Sequence, residues 1–393
     1  MALDPLILVA NPGSASRKYS IYRGQKKCID IHFEIVKNEV VYTTSENSKI
    51  QKTHVSHLSF ASTKLPEIIE KTSTPSLLKN LKIVALRVVA PSTFFQRDHV
   101  LNANVINRLE RLRPIAPIHI GATLSEYQLL KKTFPKLGFV GISDSAFLAN
   151  KPEKAMLYGI PYRDANQYDI KRFGYHGLSL ESVVKQLKHC SLLPKRVIVC
   201  HLGGGCSVVA VESGQVVDST MGFSPLEGVI MATRSGSIDE LAYETIKKVK
   251  GLSSHRLHDY FNSKSGLLGI SGTSSDIRDL LLKESKDHRA KLALDMFVYH
   301  IQKSIGAMAG VLGGVDEIVF TGTIGERSSE IRKRISSNLL HLGIILDAHN
   351  NNAVGTVKEP VIITKENHPG KIVVVHSNEN RQIVTHALSL QST

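Results

Sequence analysis

Tryptophan is absent from the 393 residues, and all aromatic side chains together reach only 6%. The chain has no basic tail and no basic stretch interleaved with aromatics, so a nucleic-acid partner is not expected despite the net charge of +14. Cysteine is scarce. Cys28, Cys190, Cys200 and Cys206 show neither CxxC spacing nor a histidine partner pattern, which argues for reduced core thiols over a disulfide frame or a zinc site. Of these, Cys206 sits in a Gly-rich loop and is expected to be accessible. No apolar run approaches membrane-spanning length; "IGAMAGVLGGV" from Ile305 comes nearest and reads as a tightly packed helix. The opening "MALDPLILVANPG" has no basic segment leading to a small-residue cleavage site, so a cytoplasmic protein with no membrane partner is expected. A Walker loop, GxxxxGK followed by Ser or Thr, is also missing, as are low-complexity tracts and long linkers.

What is present suits a folded chain of two domains, with 42% hydrophobic residues over a length too great for one ordinary core. The 49 Lys and Arg residues are scattered, which describes a solvated basic surface that draws in small anions. The stretch "LILVANPGSASRKYSIYRG" reads as a hairpin, with a buried strand Leu6 to Ala10 and a second strand from Tyr19 to Tyr22. Its turn is crowded with Asn11, Gly13, Ser14, Ser16 and Lys18, far more polar groups than a tight hairpin needs. Such a turn suits a ligand with many acceptor oxygens.

"CIDIHFEIVKNEVVYTT" alternates about a Lys37-Asn38 turn and extends the sheet as a meander. A helical stretch near Leu65 to Leu81, the strand "KIVALRVVAP", a helix after Gly121 and the strand "LGFVGIS" complete an α/β unit. About 190 residues after the first hairpin the plan returns in "RVIVCHLGGGCSVVAVESGQVVDST", where Gly214 turns the second strand into a third. A repeat of this kind predicts two similar domains facing each other. The second half then runs helical, broken by "KSGLLGISGTSSDIRDL" and by the strand, turn and helix start of "EIVFTGTIGERSSEIRKRI".

Gly-rich loops bring backbone N–H groups close to an anion, and a helix start adds partial positive charge. Any one such loop usually serves the fold; several in a doubled architecture point to phosphate. Charged residues beside apolar strands or turns form a second set: Arg87, Asp144, His176, Arg234 and Glu379. Taken singly, Arg87 fits a structural ion pair with an aspartate, His176 a core histidine, and Asp144 or Glu379 a loop cap.

Together the motifs "NPGSASRKYSIY", "RVV", "APIH", "SDSAF", "RFGYHG", "HLGGG", "MGFSPLEGVIMATRSG", "SGLLGISGTSSDIRDL", "FTGTIGERSSEIR" and "SNEN" resemble, in order, those of the acetate kinase family. The resemblance runs from about residue 6 to 385. It implies an α/β protein with two similar domains of the actin-like ATPase (ribonuclease H-like) fold facing a central cleft. The expected domains are 1–148, with 380–393 packing back on it, and 149–379, the nucleotide-binding and dimerisation domain. The implied activity is reversible phosphoryl transfer from ATP to acetate, giving acetyl phosphate and ADP. Propionate or butyrate kinase and a pyrophosphate-using enzyme are the close variants, and a non-catalytic nucleotide sensor is the alternative of another class. A magnesium ion, replaceable by manganese, and a homodimer are also implied.

By the same resemblance, Arg87 and Arg234 hold the carboxylate and the transferring phosphoryl, His176 contacts the transition state, and Asp144 is the active-site carboxylate. Val89, Ile118 and Pro225 line the pocket for the substrate methyl, with His119 in the adjoining element. Asn11 and Glu379 match the magnesium site. Nucleotide contacts fall to Ser14, Ser16 and Lys18, to the loop of His201, Leu202, Gly203, Gly204 and Gly205, and to the Asp276, Ile277 and Arg278 run. The remaining nucleotide positions are Thr323, Ile324, Gly325, Glu326 and Arg327. The chain departs from the family where Gly204 stands for Asn, Thr323 for Gly and Arg327 for Asn, where "APS" replaces His-Gly-Gly, and where Leu86, Leu148 and Leu180 replace histidines.

Overall fold

The first strand owes its place to an unbroken apolar run, because a strand covered on both faces has no polar side to alternate with. In the structure, a computed structural model that describes residues 4–390 except 14–15, 37–38, 46–50, 53–54, 56 and 73–75, β1 (Leu6–Pro12) is buried almost throughout. The expected Lys37-Asn38 turn and Ser14 lie outside the described residues. The chain divides into two compact units, Met1–Ala146 with Asn378–Thr393, and Phe147–Ser377.

The first unit holds an eight-stranded sheet. β1 pairs antiparallel with β2 (Ser16–Arg23), which continues through β3 (Lys26–Val36) and β4 (Glu39–Thr44) to β5 (Gln51–Lys52). Along β3, Ile29, Ile31 and Phe33 are buried while the residues between them are half-exposed, the period-two pattern of a sheet with one face on the core. On its other edge β1 runs parallel to β6 (Leu81–Val88), which runs parallel to β8 (Gly138–Ser143), with β7 (His99–Val100) at the margin. The helix Pro117–Thr133 packs against this sheet. It begins before Gly121, because Pro117 occupies the first turn, where a missing N–H costs nothing. The C-terminal helix Glu379–Ser389 returns to the unit and buries Gln382, Ile383, Val384 and Ala387 against β1, β6 and β8.

The second unit repeats the plan in a six-stranded sheet: β9 (Arg196–Leu202), β10 (Cys206–Glu212) and β11 (Gln215–Ser219) form an antiparallel meander. β12 (Glu317–Thr321) and then β14 (Lys371–Val374) run parallel beside β9, and β13 (Val361–Ile362) closes the edge. The β10–β11 turn is Ser213-Gly214, both with positive φ (50° and 84°), the geometry whose twist matches a two-residue hairpin. Leu180, Val183, Val184 and Leu187 of the helix Gly177–His189 cover one sheet face, meeting Val197, Val199, Val209 and Val319. The long helix His288–Leu312 packs on β9, β10 and β11. It is capped by Asp287 and terminated by Gly313 in the left-handed region.

Two expectations need correction. The Gly- and Ala-rich end of that long helix packs on one side only, since a Cβ added at Gly306 or Gly310 meets nothing within 4 Å. Cys206 is fully buried, its thiol donating to the Gly203 carbonyl at 3.3 Å, and burial pushes its pKa up to about 12.

Candidate functional site

In the first unit, three neighbouring strands end side by side and carry the polar residues there. Asn11 is the next-to-last residue of β1, Arg87 lies near the end of β6, and Asp144 follows β8. The carboxyl ends of adjacent parallel strands are where open α/β sheets place ligands. Arg87 donates from Nε to Asp144 Oδ1 at 3.0 Å and from Nη2 to Oδ2 at 2.8 Å, a two-pronged pairing that uses both carboxylate oxygens. Its Nη1 donates to Asn11 Oδ1 at 3.1 Å and lies 3.8 Å from Glu379 Oε2. Asn11 Nδ2 donates to Glu379 Oε2 at 2.8 Å and to Asn380 Oδ1 at 3.1 Å. Burial alone would lower the Arg87 pKa, but Asp144 and Glu379 outweigh it and hold the guanidinium above its usual value. The structure thus brings Asn11, Arg87, Asp144 and Glu379 together, residues separated by up to 368 positions.

Lys18 is exposed on β2 as the register partner of Asn11, and Ser16 is half-buried at the start of that strand. Val89 is half-buried just past β6. His119 is half-buried in the first turn of its helix, where its carbonyl accepts from Thr123. The side chain of Ile118 is outside what is described.

In the second unit His201 and Leu202 end β9 and the turn Gly203 to Gly205 leads into β10, with Gly203 N donating to Gly205 O at 3.1 Å. A Cβ placed on Gly205 would stand 3.1 Å from His176 Nε2 and 3.3 Å from Arg234 Nη1, so both groups border the turn. His176 precedes the helix Gly177–His189 with φ of 65°, a left-handed conformation that a non-glycine residue adopts at a cost of about 1 to 3 kcal/mol. Arg234 Nη1 reaches the carbonyl of the buried Pro225 at 3.5 Å. The next turn, after β12, also needs glycine: Gly322 has φ of 79°, and a Cβ there would come within 2.7 Å of the Leu202 carbonyl. Thr323 and Arg327 are exposed on the short helix Gly322–Arg327, and Glu326 accepts from Gly322 N at 3.1 Å. Asp276 caps the helix Ile277–Lys283 and pairs with Arg278, which holds its carboxyl below the usual range; Ile277 is buried.

Three residues have a place here that sequence reasoning did not single out. Asn380, the second asparagine of "SNEN", ties Asn11 to Ser20. Arg332 is fully buried and donates to the Gly325 and Glu326 carbonyls and to Asn351. Ser207 touches His176. A hydroxyl in an apolar strand and an arginine in a basic helix carry no local signature, so only tertiary contact reveals them.

Two units of one α/β plan, one with Arg87 at its strand ends and the other with glycine turns suited to anions, define a protein of the actin-like ATPase fold equipped for phosphoryl groups. The chain belongs to the acetokinase family, whose model matches residues 6–385. It is 36% identical over 98% of both chains to an acetate kinase of Carboxydothermus hydrogenoformans, and 38% identical over 80% of both to one of Clostridium beijerinckii. Among solved structures, a Francisella tularensis propionate kinase superposes with a TM-score of 0.85 at 30% identity, covering 97% of this chain and 98% of the other. The Porphyromonas gingivalis acetate kinase superposes with a TM-score of 0.83 at 27% identity, covering 98% and 100%. The chain is accordingly a kinase with a carboxylate acceptor.

Proposed function

We propose that the chain catalyses reversible, magnesium-dependent transfer of the γ-phosphoryl group of ATP to acetate. The observation that carries this reading is Arg87, held at Nε and Nη2 by Asp144 and half-buried beside Asn11 and Glu379. Acetate is already ionised at neutral pH and needs no base to attack phosphorus. What it needs is cancellation of charge as two anions approach. Its oxygen forms the new bond to phosphorus while the bond to the β-phosphate oxygen breaks, and the electron pair leaves with ADP.

Three of the five N–H groups of Arg87 serve Asp144 and Asn11, which leaves others for an acetate oxygen. Asp144 on this reading orients Arg87 and exchanges no proton, because both of its oxygens accept from the guanidinium. Arg234 and His176 receive the transferring group beside the Gly205 turn, and Val89, Ile118 and Pro225 take the acyl methyl. Lys18, Ser14, Ser16 and the glycine turns take the nucleotide phosphates, with Thr323 and Arg327 toward the base.

Among the described residues no group of three or more His, Cys, Asp or Glu is poised for a metal. Asn11 and Glu379, joined by the Asn11 Nδ2 to Glu379 Oε2 hydrogen bond of 2.8 Å, each carry an oxygen donor of the kind that suits a hard cation keeping most of its waters, and would hold magnesium. When bound, it neutralises phosphate charge.

Acyl phosphate trapped with hydroxylamine tests the reading, with acetate, propionate and butyrate compared under ATP, GTP and pyrophosphate. Acetate should lead, propionate follow and butyrate be poor, since each methylene is worth only about 1 to 3 kcal/mol in an apolar pocket. Val89→Ala should improve the longer acids. Equal efficiency with butyrate would refute the pocket assignment, and activity with pyrophosphate alone would refute ATP as donor. Propionate is the second reading, favoured by the likeness to a propionate kinase. We further propose a cytoplasmic homodimer joined through the second unit. Supporting it, no residue of the helix Glu240–Lys250 is buried, and Leu241 and Val249 are 76% and 78% exposed. A molar mass near 43 kDa in solution at micromolar concentration would exclude the dimer.

A further inference from the structure

The helix Gly177–His189 and the β9–β10 hairpin exchange a reciprocal pair of contacts. The helix side supplies His176 and Ser179, and the hairpin supplies His201 and Ser207. His176 Nδ1 lies 3.1 Å from Ser207 Oγ, and His201 Nδ1 lies 2.8 Å from Ser179 Oγ. Each histidine therefore meets the serine of the opposite element. Ser207 and His201 are register partners across the two strands, and both serines are fully buried. The imidazoles stack with centroids 4.1 Å apart and planes inclined by 30°. Both rings turn their second nitrogen toward the same glycine turn. A Cβ on Gly205 would stand 3.1 Å from His176 Nε2, and one on Gly203 would stand 3.8 Å from His201 Nε2.

We propose that Ser207 is a positioning residue that donates its hydroxyl hydrogen to His176 Nδ1 and so holds His176 as the neutral tautomer with its hydrogen on Nε2. Ser179 does the same for His201. A neutral imidazole carries one N–H, so the nitrogen that accepts from serine leaves the other as a donor. Toward phosphate oxygens an N–H is attractive and a lone pair is repulsive. The two rings are stacked, both are 8% exposed, and Arg234 already brings positive charge to the same turn. A hydroxyl thus fixes the donor direction without adding charge. The inference rests on the reading of His176 as a group that contacts the transferring phosphoryl, and extends it to what sets the state of that ring.

The test uses the full-length protein labelled with nitrogen-15 in histidine, with His176→Asn to assign the resonances. At neutral pH, His176 should carry its hydrogen on Nε2 in the wild type, and Ser207→Ala should move population to the other tautomer. The same variant should lower kcat by roughly tenfold with both KM values within about twofold, the pattern of an interaction made only in the transition state. Ser207→Thr should keep the tautomer and most of kcat. A wild-type hydrogen on Nδ1, or an unchanged tautomer and kcat in Ser207→Ala, overturns the proposal. Should His176→Asn turn over like wild type, the catalytic reading of His176 fails, while the tautomer spectrum still decides the role of Ser207.

Discussion

Arg332 is a buried guanidinium whose hydrogen bonds all end on neutral oxygens. Its Nη1 donates to the Gly325 and Glu326 carbonyls at 2.9 and 2.8 Å, and Nε and Nη2 donate to Asn351 Oδ1 and O at 2.8 and 2.9 Å. Burial without a carboxylate lowers its pKa to about 10, so it stays charged at neutral pH. It thereby ties the Gly322–Arg327 turn to the rest of the unit. Arg332→Lys cannot reproduce a planar fork and should cost about 2 to 3 kcal/mol of stability, read from urea unfolding, with a raised KM for the nucleotide. A nucleotide KM unchanged in a folded variant would limit Arg332 to a structural role. Arg234 should behave in the opposite way. Arg234→Ala removes a contact that strengthens as charge builds on the phosphoryl group, so turnover should fall on the order of a hundredfold while the fold survives. Near-wild-type turnover would leave Arg234 as a brace for the Pro225 carbonyl.

β12 contains an unusual burden in its first residue. Glu317 is 0% exposed and neither carboxylate oxygen has a hydrogen-bond partner. Burial raises its pKa to about 8, only partly countered by Lys371, its register partner on β14. The native state therefore holds a proton that the unfolded chain releases above an ordinary value of about 4.5. Stability should fall as pH rises from that value to about 8, with no contribution below it. Melting temperatures of wild type and Glu317→Gln should be close at pH 5 and diverge toward pH 8, with the variant the more stable. Parallel curves across that range would show that Glu317 finds a partner when ionised. All five positions of β12 are buried, so a carboxyl at position 317 is sealed with them, yet nothing local says that it goes unpaired, because pairing depends on the elements stacked above the sheet.

The chain leaves its first unit at Ala146 and returns to it at Asn378. The returning helix brings Glu379 to Asn11 and buries Ile383 and Val384 beside β1, β6 and β8. It also closes a second link, since Asp98 accepts from Ser143 N at 2.8 Å and meets His386 Nδ1 at 2.6 Å, one residue before Asp144. A chain ended after Ser377 should lose carboxylate kinase activity entirely and unfold its first unit at lower temperature, visible as a separate early transition in calorimetry. Retained activity would remove Glu379 from the metal reading.

The sequence by itself marked the doubled α/β plan, the positions of the hairpins and the four residues Asn11, Arg87, Asp144 and Glu379 that meet at the strand ends of the first unit. Continuous apolar runs mark strands covered on both faces, as in β1 and β9, and glycines mark where backbone must pass close, as at Gly322. Both are local consequences of burial and sterics, so they survive in one dimension. Tertiary structure alone decided that Cys206 is sealed, that Gly306 and Gly310 face outward, and that Arg332, Asn380 and Ser207 belong beside the site. It also decided that Asp144 pairs both of its oxygens with Arg87. These are properties of partners brought together from distant positions, and a partner's identity is set by packing, which no spacing of residues along the chain encodes.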